Sequence, residues 1–308
     1  MATLEPTLAS PPADGLLARA AAGRVLPVAT VVAALMVLWY GFAIYLNAPQ
    51  LIDRYGRENR AWTTQELVAD AWAMERPVLP APHQVIAELD KTVLQTSVTS
   101  KRSLVYHSWV TISSAVVGFV LGGLLGVALA VAIVRVRTLE RSLMPWIIAS
   151  QTIPILAIAP MIIVVLAAIG ITGLVPKALI STYLGFFPVT IGMVKGLRSP
   201  DPLQLDLMRS WNASESQVMW LLRWPSSVPF LFTGLKVAVA ISVVGAIVGE
   251  LPTGASEGLG ARLLSGSYYG QTVQIWAALV MASILAAVLV WLVGLVERIV
   301  RHRMGAQP

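Results

Sequence analysis

The chain holds few residues that could make or break covalent bonds. Its three histidines, His83, His107 and His302, are scattered, and no H-E-x-x-H pair occurs. There is no cysteine to supply a disulfide or a thiolate metal ligand. No G-x-x-x-x-G-K-[ST] loop is present to cradle phosphates. No catalytic residue and no metal site is therefore expected. Three other groups stand out by type and spacing. One is the polar, patterned stretch from Ser199 to Pro229. The second is Ser150-Gln151-Thr152, with Pro154 close behind, inside an apolar run. The third is Glu250, a carboxylate at the end of another apolar run.

The elements that carry these groups follow from composition. Hydrophobic residues make up 56% and charged residues 12%, where a soluble domain has roughly a quarter charged. Mean hydropathy is +0.74. So much apolar surface with so little charge implies lipid as solvent. The net charge of +6 would raise nucleic acid as a partner in a soluble protein. Here it fits basic residues at the ends of membrane spans, and no nucleic-acid partner is expected.

A span needs about 20 apolar residues, and six segments qualify: 27–46, 109–134, 143–169, 174–194, 228–248 and 273–296. The first is too long for a signal peptide and follows a polar tail, so it reads as an uncleaved span. Basic residues set the orientation. Arg135, Arg137 and Arg141 follow the second span. Lys195, Arg198, Arg209 and Arg223 follow the fourth, and Arg298, Arg301 and Arg303 follow the sixth. The opposite turns hold only Lys177 and Arg262. Both termini are thus expected in the cytoplasm, as tails 1–26 and 301–308. Residues 47–108 form an extracytoplasmic segment. Within it Thr64 to Met74 alternates like a surface helix, and Pro77, Pro80 and Pro82 break the pattern. Val85, Ile86, Leu89 and Val93 then recur at helical spacing.

The loop after the fourth span encodes helix, turn, helix. Ser199 can cap, Pro200 suits the first helical position, and Asp201 favours the positive end of the dipole. Leu203, Leu207 and Trp211 make one apolar face. Asn212 tolerates the left-handed conformation that ends a helix. Ser214 to Gln217 is a capping-box pattern opening a second helix, with Val218, Leu221 and Leu222 on one face and Pro225 as its stop. On these grounds the pair either docks on a partner or rests on lipid, with Trp211, Trp220 and Trp224 as belt residues.

The stretch resembles the EAA loop of ABC-importer permeases, with the pattern E-A-A-x-x-x-G, then about nine residues, then an apolar residue, x, L-P. Asp206 falls at the glutamate, Asn212 at the glycine and Pro225 at the proline. Leu207 and Met208 replace the two alanines. The resemblance covers about Trp109 to Val300. It includes Gly118-Phe119 with Gly122 and Gly126, then Gln151-Thr152-Ile153-Pro154 and Ala159-Pro160. Phe186-Phe187-Pro188, Gly196-Leu197, Gly234-Leu235-Lys236, Gly249-Glu250 and Gly258-Leu259-Gly260 follow in order. The subgroup it resembles moves nitrate, taurine, alkanesulfonates and thiamine-type pyrimidine precursors.

The resemblance implies an all-α membrane protein with six transmembrane helices, similar to type I ABC-importer permeases, in the bacterial inner membrane. It implies a permease core over 109–300, with a coupling loop over 199–229 that engages cytoplasmic ABC ATPase subunits. Asp206, Arg209, Trp211, Asn212, Ala213, Ser214, Gln217 and Pro225 would be its coupling residues. ATP and Mg would sit on the ATPase, and this chain would hold no cofactor. A periplasmic solute-binding protein would deliver the solute, and a second permease copy would complete a homodimer.

The remaining residues leave alternatives open. Gly118, Gly122 and Gly126 make a ridge for a close helix crossing, within or between permeases. Ser150, Gln151, Thr152 and Pro154 either line the pathway or mark a kink. Glu250 either lines an outer gate or contacts the binding protein, or it is an interfacial residue bonded to the Thr253-Gly254 turn. Lys236 is near a span end, where its stem can snorkel, and no transport role is assigned to it. An ion-coupled secondary transporter is the competing class, but it needs buried ionisable groups, which these spans almost lack. A membrane-embedded enzyme would need paired acids or a histidine cluster inside the spans.

Overall fold

The computed structural model describes residues 25–252 and 257–305. The expected N-terminal tail falls almost wholly outside them, as does the Thr253-Gly254 turn. The described residues are helical, without a strand, and the chain divides into two compact units, residues 1–85 and 86–308.

In the first unit, α1 (Val25–Arg57) runs well beyond the expected span. Its end packs against α2 (Thr64–Ala73) through Leu51, Tyr55, Leu67 and Ala71. Thr63 caps α2 in a full capping box with Glu66. Asn47, buried within α1, gives hydrogen bonds to the carbonyls of Ala71 and Leu79 and accepts from the N–H groups of Val78 and Leu79. One amide thus satisfies the backbone that Pro77 and Pro80 leave irregular. α3 (Pro82–Leu89) starts at Pro82 and runs across the boundary into the second unit.

The second unit is built on three long helices, α4 (Leu104–Arg135), α7 (Leu174–Leu197) and α10 (Trp224–Glu250). α7 packs against both of the others. Small residues permit the approach, since apolar burial gives no drive between helices in lipid. The ridge of Gly118, Gly122 and Gly126 lies against α7 of the same chain. A Cβ on Gly126 would sit 2.7 Å from the Phe186 carbonyl oxygen and 2.8 Å from Val189 Cβ. On the α10 side, a Cβ on Gly234 would meet the Pro188 carbonyl oxygen at 2.8 Å.

The expected third span is not one rod. It is α5 (Arg137–Ser150) and α6 (Ile155–Ala168), bent by 98°. Pro154 has no N–H and disfavours helical backbone in the residue before it. The chain therefore leaves the helix at Gln151 and restarts after Pro154. Five helices are long and apolar enough to cross a membrane, or six with the bent pair taken as one span. α8 (Pro202–Ser210) and α9 (Glu215–Gln217) fill the loop before α10. α11 (Leu259–Tyr268) and α12 (Thr272–Arg303) close the chain.

Candidate functional site

The loop between α7 and α10 is a helix pair on a fixed base. α8 begins two residues later than the sequence predicts. Asp201, not Ser199, is its cap, accepting from the Leu203 N–H at 2.8 Å, and Pro202 takes the first position. Ser199 instead donates back to the Gly196 carbonyl at the end of α7. Asn212 has φ of 55°. The Ala213 N–H bonds the Met208 carbonyl and the Asn212 N–H bonds that of Arg209, the two bonds of a Schellman ending. Ser214 and Gln217 then form a reciprocal capping box.

Beyond α9 the structure departs from the expected pattern. Val218–Arg223 is wound as a π-helix that continues into α10. Pro225 therefore does not stop the helix, and residues 215–250 form one rod. The Trp224 N–H reaches back five residues to Met219. The hydrogen-bond ladder is thus already offset where Pro225 supplies no donor. The wider winding also changes the inward residue. Met219 is buried against Ile147, Met193 and Leu197, while Leu221 is exposed.

This base is tied down. Arg223 donates to the Leu197 carbonyl at 3.0 Å, and Arg198 pairs with Glu140 of α5 at 2.8 Å. α8 itself buries no residue. Its apolar face points away from the chain, with Leu203, Leu207 and Trp211 at 77%, 50% and 72% exposure. Asp206 and Arg209 pair with each other at 2.9 Å on the exposed surface.

The α5–α6 break brings Ser150, Gln151, Thr152 and Pro154 together. Ser150 and Thr152 donate to the carbonyls of Ile147 and Ala149, and Tyr183 of α7 donates to the Ser150 carbonyl. Gln151, Thr152 and Pro154 remain exposed. Irregular backbone at membrane depth is tolerated where it is buried in protein or lines water.

Glu250 is elsewhere and fully buried, with 0% exposure. Its carboxylate accepts from Thr111 Oγ1 at 2.9 Å and from the Gly260 N–H at 2.8 Å, with Lys177 Nζ 3.9 Å away. Three successive N–H groups at the start of α11 each meet a side chain from another helix. Gly258 donates to His107 Nδ1, Leu259 to Thr111 Oγ1 and Gly260 to Glu250, all at 2.8–2.9 Å. Because Nδ1 accepts, the imidazole proton is on Nε2, which donates to the Lys101 carbonyl. Gly258 has φ of 114°, and a Cβ there would run into the Glu250 carboxylate. At the rim Lys101 holds Glu257 at 3.0 Å; with Tyr106 it keeps that carboxyl below its ordinary range.

Sequence reasoning named Glu250 but not His107, Thr111, Lys177 or Met219. A usable signal existed for the first two. His107, Thr111, Ala115 and Gly118 form a polar and small stripe at helical spacing in an apolar helix, and all four are buried. Lys177, read as a turn-edge cation, points inward. The spans therefore hold a buried ion pair, Lys177 with Glu250, at the end of α10.

A bundle of membrane-length helices with an exposed, turn-linked helix pair is the architecture of a polytopic membrane protein. The family model for the binding-protein-dependent transport system inner membrane component matches residues 122–306. A probable ABC transporter permease protein of Haemophilus influenzae is 31% identical over 208 residues, 68% of this chain and 82% of that protein. The formylaminopyrimidine transport permease of Halalkalibacterium halodurans is 32% identical over 59% of this chain and 68% of its own length. A putative aliphatic sulfonates transport permease of Bacillus subtilis is 24% identical over 82% of this chain and 91% of its own. The chain belongs to this permease family and is a membrane-spanning permease subunit of an ABC importer.

Proposed function

We propose that this permease works as a homodimer in the bacterial inner membrane, with both termini in the cytoplasm. Two cytoplasmic ABC ATPases would bind at the loop, and a periplasmic solute-binding protein would deliver the solute. ATP and Mg belong to the ATPase, and this chain contributes movement and a path. The observation that carries this reading is α8. A helix that buries nothing within its own chain, with its apolar face outward on a tightly tied base, is built to be covered by another protein. Asn212, Ala213, Ser214 and Gln217 fix the turn. Leu203, Leu207 and Trp211 supply the contact, and Asp206 and Arg209 sit at its edge. Met219 and Pro225 pass the motion directly into α10, because the rod is continuous.

The pathway runs past the α5–α6 break, where Ser150, Gln151 and Thr152 offer uncharged hydrogen-bonding groups. Such a lining suits a small polar or heteroaromatic solute, in keeping with the pyrimidine and sulfonate solutes named for its relatives. Glu250 acts at the outer end as a positioning residue. It fixes α11 on α4 and α7 so that the path has a rigid wall.

The natural absence of cysteine makes a direct test simple. Trp211→Cys provides a single thiol. In native membranes it should crosslink, through a short bifunctional maleimide, to one ATPase polypeptide bearing an introduced surface cysteine. Crosslinking confined to lipid-embedded partners, with none to the ATPase, contradicts the docking assignment.

A further inference from the structure

The last turns of α12 carry a site that the transport reading does not use. Between α10 and α12 lies a cavity of about 790 Å³. Glu297 is among its lining residues, paired with Lys236 of α10 at 2.5 Å and approached by Arg301 at 3.7 Å. Two cations thus neutralise the one carboxylate. The other lining guanidinium groups, Arg298 and Arg303, have no carboxylate partner among the described residues. The cavity therefore presents uncompensated positive charge.

Ile299 is the apolar side chain of its lining, and further exposed apolar residues precede it on α12. Val288, Trp291, Leu292, Leu295 and Ile299 are all exposed on α12; Val288, Leu292, Leu295 and Ile299 recur every three or four residues, and Ile299 adjoins Arg298. Only 17% of the most apolar window of this helix is buried inside the chain. A ligand that fits both parts has an anionic head and long apolar tails. Cations gathered at span ends are ordinary, as the cluster of Arg135, Arg137 and Arg141 illustrates. Here the cations line a cavity that also holds a paired carboxylate and Ile299, the last exposed apolar residue of the α12 series, which is a more specific arrangement.

We propose that this cavity binds the phosphate of an anionic phospholipid, with Arg298 and Arg303 as its principal ligands and the acyl chains along the Trp291–Ile299 face. Basic pockets between spanning helices hold acidic headgroups in this way.

The test is native mass spectrometry of the intact purified importer, taken from nanodiscs of phosphatidylcholine with a minor share of phosphatidylglycerol. The wild type should retain phosphatidylglycerol in excess of its share. Arg298→Gln with Arg303→Gln should lower that selectivity by roughly fivefold for each arginine removed. The matching lysine variants should keep most of it, which separates loss of charge from misfolding. Glutamine at Arg135, Arg137 and Arg141 should leave it unchanged. Equal loss from both clusters, or no loss from either, overturns the proposal in favour of diffuse surface charge. Displacement of the lipid by millimolar inorganic phosphate would assign the site to a free anion instead. An ATPase crosslink to the His302→Cys variant would assign it to protein contact and likewise overturn the proposal. None of these readouts depends on α8, so failure here leaves the docking assignment standing.

Discussion

At Glu250 a single carboxylate holds together helices far apart in the sequence. Its partners Thr111, Lys177 and Gly260 come from α4, α7 and α11. Removing it leaves a buried ammonium, a hydroxyl and a backbone N–H without their acceptor. Glu250→Ala should therefore destabilise the solubilised protein by about 3–5 kcal/mol, the usual cost of breaking a buried pair from one side. Glu250→Gln, which keeps an acceptor for the Gly260 N–H, should cost less, and thermal unfolding in detergent reads both. Equal stability of all three proteins would show that the cluster contributes nothing to holding α11. The sequence revealed the carboxylate but not its partners, because Thr111 and Gly260 lie 139 and 10 residues away, Lys177 is on another helix, and no local pattern joins them. Caps are different. Asn212, Ser214 and Gln217 act on backbone within a few residues, so their roles could be read directly from residue order.

At the scale of elements, the loop shows what periodicity captures and what it misses. The exposed apolar face of α8 follows the 3.6-residue repeat and was legible. The π-helix was not, because its bonding places Met219 inward where the repeat points to Leu221. Pro225 read as a stop for the same reason. At the α5–α6 break the prolines offered a kink as one of two readings, but not a 98° bend, in which Ser150 and Thr152 donate to carbonyls of the preceding turn. The turn between α8 and α9 is the most exposed to mutation. Asn212→Pro forces φ to about −65° where the native value is positive. It should abolish ATPase association while circular dichroism shows the helical content of the spans unchanged. Normal association of that variant would show that the turn geometry does not set docking.

Over the whole molecule, the family match lies within the second compact unit, which carries the loop, the break and the Glu250 cluster. The first unit has its own small core around Leu51 and Tyr55 and lies outside that match. Fold class was legible because lipid is a strict solvent. Composition and run length pointed to six spans, of which five are single helices and the third is a bent pair, while their pairing depended on glycine contacts that only the folded chain reveals. The account's central claim is that energy enters this permease from a separate ATPase through the α8 helix pair. The most direct test is to purify the tagged chain from its native membrane under mild detergent and identify what accompanies it. The account predicts an ABC ATPase in stoichiometric amount. Its absence, under conditions that preserve other membrane complexes, would contradict the account and favour a carrier driven by an ion gradient.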